Sequence, residues 1–334
     1  MRIIALVAIS ILIALTFAFF SKESTNEEPA RSPGIVATSE HRSETPSIGL
    51  EPSPAPETDA SLEELPDELI YPEITSKDLV SQATVRADHK ELLRLYRKWA
   101  EAGTDSVARS QILVYFAKLS DSALGERFLL EAISSEKPGS DGSKHSALGG
   151  MSLGKELWTR NPGAAVEARN RLLGEANSNL QMALMYGLVE HSEAIGSEVL
   201  GADLKALYLQ SEDSLLRQNL PKQLLRIGEH ETAFDVASLG IRRPIVSGRD
   251  DGEICSSATA LASVYESLPE KRSSIVSTLL ETAMRSDISP VTFGYVIDAL
   301  KEVHPESLTS LRGRIGIPDQ SADRYLERAL SSSK

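Results

Sequence analysis

The amino-acid sequence predicts an all-α protein, an α-solenoid-like array of antiparallel helical hairpins behind a membrane segment and a disordered linker. Three observations support this prediction. Residues 3–20 contain no charged side chain, and residues 21–72 hold eight of the chain's 16 prolines. From about Ser76 to the end of the chain, apolar residues recur at helical spacing without a convincing run of alternating β-branched residues.

The uncharged stretch Ile3–Phe20 is long enough to cross a thin bilayer. Twelve of its 18 residues are Leu, Ile, Val or Phe, and 18 helical residues extend about 27 Å. We interpret residues 1–20 as an uncleaved signal anchor, with a signal peptide cleaved near Ala18 as the alternative. Arg2 precedes the stretch, so the positive-inside rule leaves the N-terminus in the cytoplasm. Both interpretations place the body outside the cytoplasm, which in a bacterial cell is the periplasm or the cell surface.

Residues 21–75 have the composition of a disordered linker. Residues 21–72 contain 12 acidic and three basic side chains, and so carry −9 of the chain's net charge of −13. Prolines and like charges keep such a segment extended, as a spacer between membrane and body. Within it, Ser61–Tyr71 has enough Leu and Ile to dock, although Pro66 limits any helix there. Acidity and the lack of a Lys/Arg cluster exclude nucleic acid and anionic lipid as expected partners.

The first helices of the body, residues 76–334, have clear local signals. Asp88, followed three residues later by a glutamate, predicts a capping box, and Gly103 predicts the end of that helix. Asp105 and Asp121 begin the second and third helices. The residues expected to face inward are Leu92, Leu95, Tyr96, Trp99, Ile112, Leu113, Phe116, Leu119, Leu124, Phe128, Leu129 and Ile133.

Residues 138–145 predict a glycine- and serine-rich loop, after which helices recur every 15–25 residues. Proline stands at the expected first helical position of five of these helices, where its missing N–H is tolerated. These prolines are Pro162, Pro269, Pro290, Pro305 and Pro318. Pro244–Val246 is too short to be more than an isolated bridge. We expect ten to twelve short helices joined by short loops.

This rhythm of amphipathic helices resembles that of HEAT-like and TPR-like α-solenoids over residues 76–332. The resemblance is one of rhythm only, since the TPR consensus of Trp, Gly, Tyr and Pro at fixed offsets is absent. It implies stacked helical hairpins with an extended binding surface. Glu231–Phe234 and Glu281–Met284 are similar tetrapeptides 50 residues apart, a similarity that chance explains. A globular helical array without true repeats is the alternative.

One short motif suggests hydrolase chemistry. Gly150–Gly154 matches G-x-S-x-G, the nucleophile elbow of α/β-hydrolases, with Ser152 as nucleophile. The nominal bases are His191, His230 and His304. A glycine-rich loop and not a strand is expected before the motif, so we interpret Ser152 as a backbone-turn residue. Ser152–Lys155 also matches S-x-x-K of penicillin-recognising enzymes, but Ser134–Lys137 matches equally well and the companion motifs are missing.

The remaining candidates are weaker still. The six histidines, His41, His89, His145, His191, His230 and His304, show no metal-ligand spacing, and with one cysteine no metal or cofactor is expected. Cys255 is expected to open a helix, whose dipole lowers a thiol pKa, but a small apolar role is commoner. Arg242, Arg243 and Arg249–Asp251 form a charged loop over Ile241–Glu253, either an anion or partner contact or a solvated loop.

The sequence therefore predicts a membrane-tethered extracytoplasmic helical scaffold or protein-binding module, with an unidentified protein partner. No catalytic, cofactor-binding or metal-binding residue is assigned. The alternative is a cell-envelope enzyme with an unrecognised active site. A groove lined by exposed aromatics favours binding, whereas a closed pocket joining Ser152, a histidine and a carboxylate favours an enzyme.

Overall fold

A computed structural model of the chain describes residues 75–246, 250–317 and 320–331. The secondary structure of these ranges is helical, and they contain no strand. None of their helices is long and apolar enough to cross a membrane. The predicted membrane segment Ile3–Phe20 and the predicted linker up to residue 74 lie outside the described residues.

The described residues form fifteen α-helices, which we number along the chain. They are α1 Ser76–Val85, α2 His89–Ala102, α3 Ser106–Ala117, α4 Ser122–Ser134, α5 Ser140–Ser152, α6 Pro162–Leu172, α7 Ser178–Glu190, α8 Ser192–Ile195, α9 Ser197–Gln210, α10 Ser214–Arg226, α11 His230–Gly240, α12 Asp250–Val264, α13 Arg272–Ala283, α14 Pro290–Val303 and α15 Gln320–Ser331. A π-helical segment, Leu153–Trp158, extends α5, and 3-10 turns cover Pro269–Lys271 and Pro305–Leu311.

The predicted starts of α2 and α4 are confirmed, with one correction. Asp88 accepts a hydrogen bond from the Glu91 backbone N–H at 3.1 Å, but the Glu91 carboxylate pairs with Arg94 and not with the cap. The complete capping box belongs to α1, between Thr75 and Asp78. A reciprocal box needs the N3 side chain to turn back towards the cap, and Arg94 on the next turn competes for it.

Proline marks helix starts as predicted at Pro162 and Pro290, which begin α6 and α14. Pro269 and Pro305 begin 3-10 turns instead, and Pro318 lies outside the described residues. The buried Pro221 inside α10 was not predicted. Its ring removes one intrahelical hydrogen bond, so the helix is retained by tertiary packing.

The helices pack as an array in which each one contacts its neighbours along the chain. One set, α1, α3, α5, α7, α10, α12 and α14, packs successively, each helix against the next. In the other set α2 packs on α4, and α9 packs on α11. Side-chain hydrogen bonds across the array join residues that are 27 positions apart for Arg109 and Glu136 and 45 positions apart for Tyr208 and Glu253. This packing is compatible with a solenoid-like class.

The segment predicted as a loop, residues 138–145, is helical from Ser140 onwards, which corrects the sequence interpretation. The glycines of α5 face the neighbouring helix α7. A Cβ atom on Gly150 would lie 2.2 Å from the Ala183 carbonyl oxygen, and one on Gly154 would lie 2.5 Å from that of Gly187. Glycine is therefore required here for close helix contact, and packing overrides its low helix propensity.

The similar tetrapeptides occupy different places in the array. Glu231–Phe234 lies in the first turn of α11, whereas Glu281–Met284 lies in the last turn of α13. They are therefore not equivalent parts of a repeat. Leu153, Leu157 and Trp158, by contrast, are fully buried beside α7 and α4, as an inward-facing set.

Candidate functional site

Ser152 is the last residue of α5 and leads directly into the π-helical segment. Its interpretation as a backbone-turn residue is therefore wrong, because the close packing of Gly150 and Gly154 keeps the chain helical around it. Among the described residues no histidine or carboxylate is hydrogen-bonded to the Ser152 hydroxyl. A serine nucleophile needs a base within hydrogen-bond reach, and this geometry does not provide one.

The nominal bases are separated from one another in the array. His191 ends α7, His230 begins α11, and His304 follows α14, where its Nε2 lies 3.2 Å from Glu306. No group of three or more His, Cys, Asp or Glu side chains within the described ranges is arranged to hold a metal ion.

The arginines of the predicted charged loop contact the body of the array. Arg242 donates to the Thr278 hydroxyl at 3.1 Å. Arg243 lies 3.3 Å from the buried Glu253 carboxylate, and its guanidinium stacks 5.5 Å above the Tyr208 ring. These contacts hold the loop against α9, α12 and α13. Arg249 lies outside the described residues.

Cys255 lies well inside α12 and does not open it, so the sequence placement is wrong. Its thiol donates a weak hydrogen bond to the Thr292 hydroxyl at 3.7 Å. Burial raises the pKa of the Cys255 thiol, because the thiolate loses solvation there. The predicted dipole effect is therefore outweighed, and the residue acts as a small half-buried side chain.

An open groove of about 740 Å³ runs along α12 between α10 and α14. Its volume lies within the range of sites that bind ligands. Its floor and walls are formed by Gln218, Asn219, Lys222, Leu225, Asp251, Gly252, Cys255, Ser256, Thr259, Ala260, Ser263, Ser289, Val291, Thr292 and Tyr295. From Gly252 to Ser263 the helical floor extends about 16 Å.

The α14 wall of the groove presents apolar side chains that no part of the described chain covers. Val291 is 62 % exposed and Tyr295 is 48 % exposed. Opposite them, α10 contributes the exposed Lys222. Aromatic and aliphatic side chains left in solvent beside a concave surface are typical of contact sites.

Most hydroxyl groups of the groove are already hydrogen-bonded within the protein. The Ser256 hydroxyl donates to the Gln218 carbonyl. The Thr259 hydroxyl donates to the Cys255 carbonyl at 3.0 Å, and the Ser263 hydroxyl donates to the Thr259 carbonyl at 2.9 Å. Asp251 differs, because its Oδ1 atom is buried without a hydrogen-bond partner. The groove therefore offers a ligand one carboxylate, one ammonium group and an apolar wall.

A buried polar cluster joins α2, α3, α5 and the connection between α4 and α5, which carries Glu136. Arg109 donates from Nη1 to both oxygens of Glu136, at 3.0 and 2.7 Å, and from Nη2 to Asp141. Tyr96 donates to Glu136 at 2.5 Å. His145 lies 3.5 Å from Glu136, between the carbonyls of Asp141 at 2.9 Å and Ser106 at 3.1 Å.

A second cluster, which also contains a tyrosine, an arginine and a glutamate, joins α9, α10 and α12. Tyr208 donates to Glu253 at 2.5 Å, and Arg217 donates from Nε to the other oxygen of Glu253 at 2.8 Å. Burial, reinforced by the adjacent carboxylate, raises the pKa of Tyr208 and likewise that of Tyr96. Both phenols therefore stay neutral donors. The clusters connect neighbouring helices and use their polar groups internally.

Comparison of the chain with protein families, with curated proteins and with solved structures finds no match.

Sequence reasoning missed the groove and both clusters, although one local signal for the clusters exists. The pattern Asp-Ser-x-x-Arg occurs at Asp105–Arg109 and again at Asp213–Arg217. In both cases the arginine is the fourth residue of its helix and turns inward. A buried arginine demands an acidic partner, so this pattern indicates an ion pair with a neighbouring helix.

Proposed function

We propose that this chain is a membrane-tethered extracytoplasmic scaffold of α-solenoid type, which binds an extended segment of a partner protein along α12. The observation that carries the proposal is the groove with its uncovered wall of Val291 and Tyr295. Burying such side chains on binding contributes about 25 cal/mol per Å² of apolar surface before the costs of association.

The dimensions and construction of the groove favour an extended segment. A floor of about 16 Å matches about five residues of an extended chain at 3.3 Å each. The flanking helices are fixed to the floor by hydrogen bonds from Ser256 to α10 and from Cys255 to α14. Because the groove is already formed, little free energy is needed to order its side chains when a partner binds.

Site-specific photo-crosslinking in cells tests the binding proposal. A benzophenone amino acid at Tyr295 should give a discrete protein adduct, and the same probe at Val166, exposed on α6, should not. Thr259→Trp fills the groove and should abolish the adduct, whereas Ser274→Trp on α13 should not. Equal adducts from both probe positions, or an adduct that survives Thr259→Trp, would contradict the proposal.

The tethering part of the proposal is supported by the uncharged stretch Ile3–Phe20 and by Arg2 before it. Alkaline phosphatase folds only outside the cytoplasm, so a fusion after residue 75 should be active. Retention in membranes after carbonate washing distinguishes an anchor from a cleaved peptide. An inactive phosphatase together with an active cytoplasmic reporter would reverse the topology, and a soluble product that begins at Phe19 would replace the anchor with a signal peptide.

The hydrolase alternative draws on Ser152 alone and gains no support from its surroundings. Its flanking glycines are explained by contact with α7. Fluorophosphonate labelling of the protein that is abolished by Ser152→Ala would place the enzyme first.

A further inference from the structure

The two buried clusters allow one half of the array to be compared with the other. In each, a tyrosine, an arginine at the fourth position of a helix, and a glutamate meet. The helix that follows the arginine helix in the packed set also carries a shared pattern. Asp141–Ser146 and Asp251–Ser256 both read Asp-Gly-x-x-x-Ser, 110 residues apart. Asp141 and Asp251 are therefore counterparts by pattern.

The counterparts differ in their partners. Asp141 accepts a hydrogen bond from Arg109, which also holds Glu136. The Asp251 Oδ1 atom is buried and accepts none, and no ion pair joins Asp251 to a lysine or arginine in the described part of the chain. An unpartnered buried carboxylate oxygen is costly for the fold. Asp251 also lines the groove.

The position of Asp251 relative to Lys222 defines a charge pattern along the groove. The Gln218 side chain packs on Gly252, the residue after Asp251. Its Nε2 atom lies 2.4 Å from the position that a Cβ atom on Gly252 would occupy. Lys222 stands one helical turn beyond Gln218 on α10, about 6 Å further along. Ser256, whose hydroxyl donates to the Gln218 carbonyl, is itself five residues beyond Asp251 on α12, so the carboxylate and the ammonium group occupy separate places along the groove.

Building on the proposed function, we infer that the groove selects an extended segment that carries both a basic and an acidic side chain. The basic side chain donates to Asp251, and the acidic one accepts from Lys222. An apolar side chain of the same segment packs on Val291 and Tyr295. Because charge-assisted hydrogen bonds are the stronger kind, these two contacts decide specificity.

The probes for the test are fluorescein-labelled peptide pools in which two positions, at every spacing from one another, are fixed and the others are randomised. Fluorescence anisotropy with the full-length protein should show the arginine/glutamate pool binding about tenfold tighter than the citrulline/glutamate pool. Asp251→Asn should abolish this difference, and Lys222→Gln should abolish the preference for glutamate over glutamine. Asp323→Asn on the exposed face of α15 is the matched control and should change neither.

A stability measurement separates recognition from a structural role. Asp251→Asn should leave the thermal midpoint unchanged or raise it, whereas Asp141→Asn should lower it because Arg109 loses a partner. If the pools bind without charge preference and Thr259→Trp abolishes that binding, the inference is overturned. The proposed function of the groove is then retained. The absence of binding by every pool would also overturn the inference, and crosslinking from Tyr295 would then decide the function independently.

Discussion

The buried ion pair between Arg109 and Glu136 predicts a large effect of a conservative substitution. The two side chains are 1 % and 2 % exposed, with Nη1 and Oε2 2.7 Å apart. Glu136→Gln keeps the shape of the side chain but leaves the guanidinium without its main counter-charge. Removing one partner of a buried pair costs about 3–5 kcal/mol. Asp141 still contacts Arg109 but its side chain is 46 % exposed, so we expect about 3 kcal/mol.

The tryptophans make this part of the array observable. Trp99 and Trp158 are the two tryptophans of the chain, both buried, and Trp99 lies one turn from Tyr96 on α2. Tryptophan fluorescence in a urea titration should report a loss of about 3 kcal/mol for Glu136→Gln. The thermal midpoint should fall by about 6–12 °C for a body of this size.

Two controls sharpen the test. The ion pair between Arg97 and Glu131 has side chains 50 % and 41 % exposed, so Glu131→Gln should cost less than about 1 kcal/mol. Combining Arg109→Met with Glu136→Leu removes both charges and should recover most of the stability lost by Glu136→Gln. A loss below about 1 kcal/mol for Glu136→Gln, or a double variant less stable than the single one, would refute the reasoning.

Further predictions concern glycine contacts, titration and the linker. Gly150→Ala should lower the free energy of unfolding by about 1–3 kcal/mol in urea titrations; the control Gly163→Ala, with its nearest neighbouring atom at 3.7 Å, should be neutral or slightly stabilising. Ser152→Ala should change stability by less than about 1 kcal/mol and leave biological activity intact; a larger loss would show that the hydroxyl matters. Burial raises the pKa of Glu126, so its stabilising contribution is present below the ordinary glutamate pKa and lost as pH rises through the raised value. Thermal melts should therefore show Glu126→Gln more stable than the wild type at pH 7, with no gain below about pH 4. Deletion of residues 21–72 should leave the thermal midpoint within about 2 °C, and a larger fall would mean that the segment docks.

The sequence predicted best where the signal was local. Asp88 and Asp121 cap α2 and α4, and Gly103, with φ of +69°, ends α2 as its position suggested. Such signals depend on a few neighbouring residues, which a pattern can display. The all-α class follows from the same kind of evidence.

The features that the sequence did not predict depend on residues that are distant in the chain. Gly150 and Gly154 indicated a loop or a nucleophile elbow, but they serve a contact with α7 some 33 residues away in the chain. The partners Arg217 and Glu253 are 36 positions apart, and no local rule pairs them. The groove exists only when α10, α12 and α14 lie side by side. Its role stays a prediction, as do the membrane segment and the partner.

The described hydrogen bonds join only helices that are near one another along the chain. This arrangement determines how the array would respond to a pulling force. A pulling force on Ser76, at the start of α1, would load the contacts of α1 with α2 and α3 first, since within the described ranges α1 packs on those two helices. The helices would then detach in order along the chain, each at its own threshold force. The groove along α12 lies towards the far end of that sequence, and would therefore keep its shape until the earlier interfaces had opened.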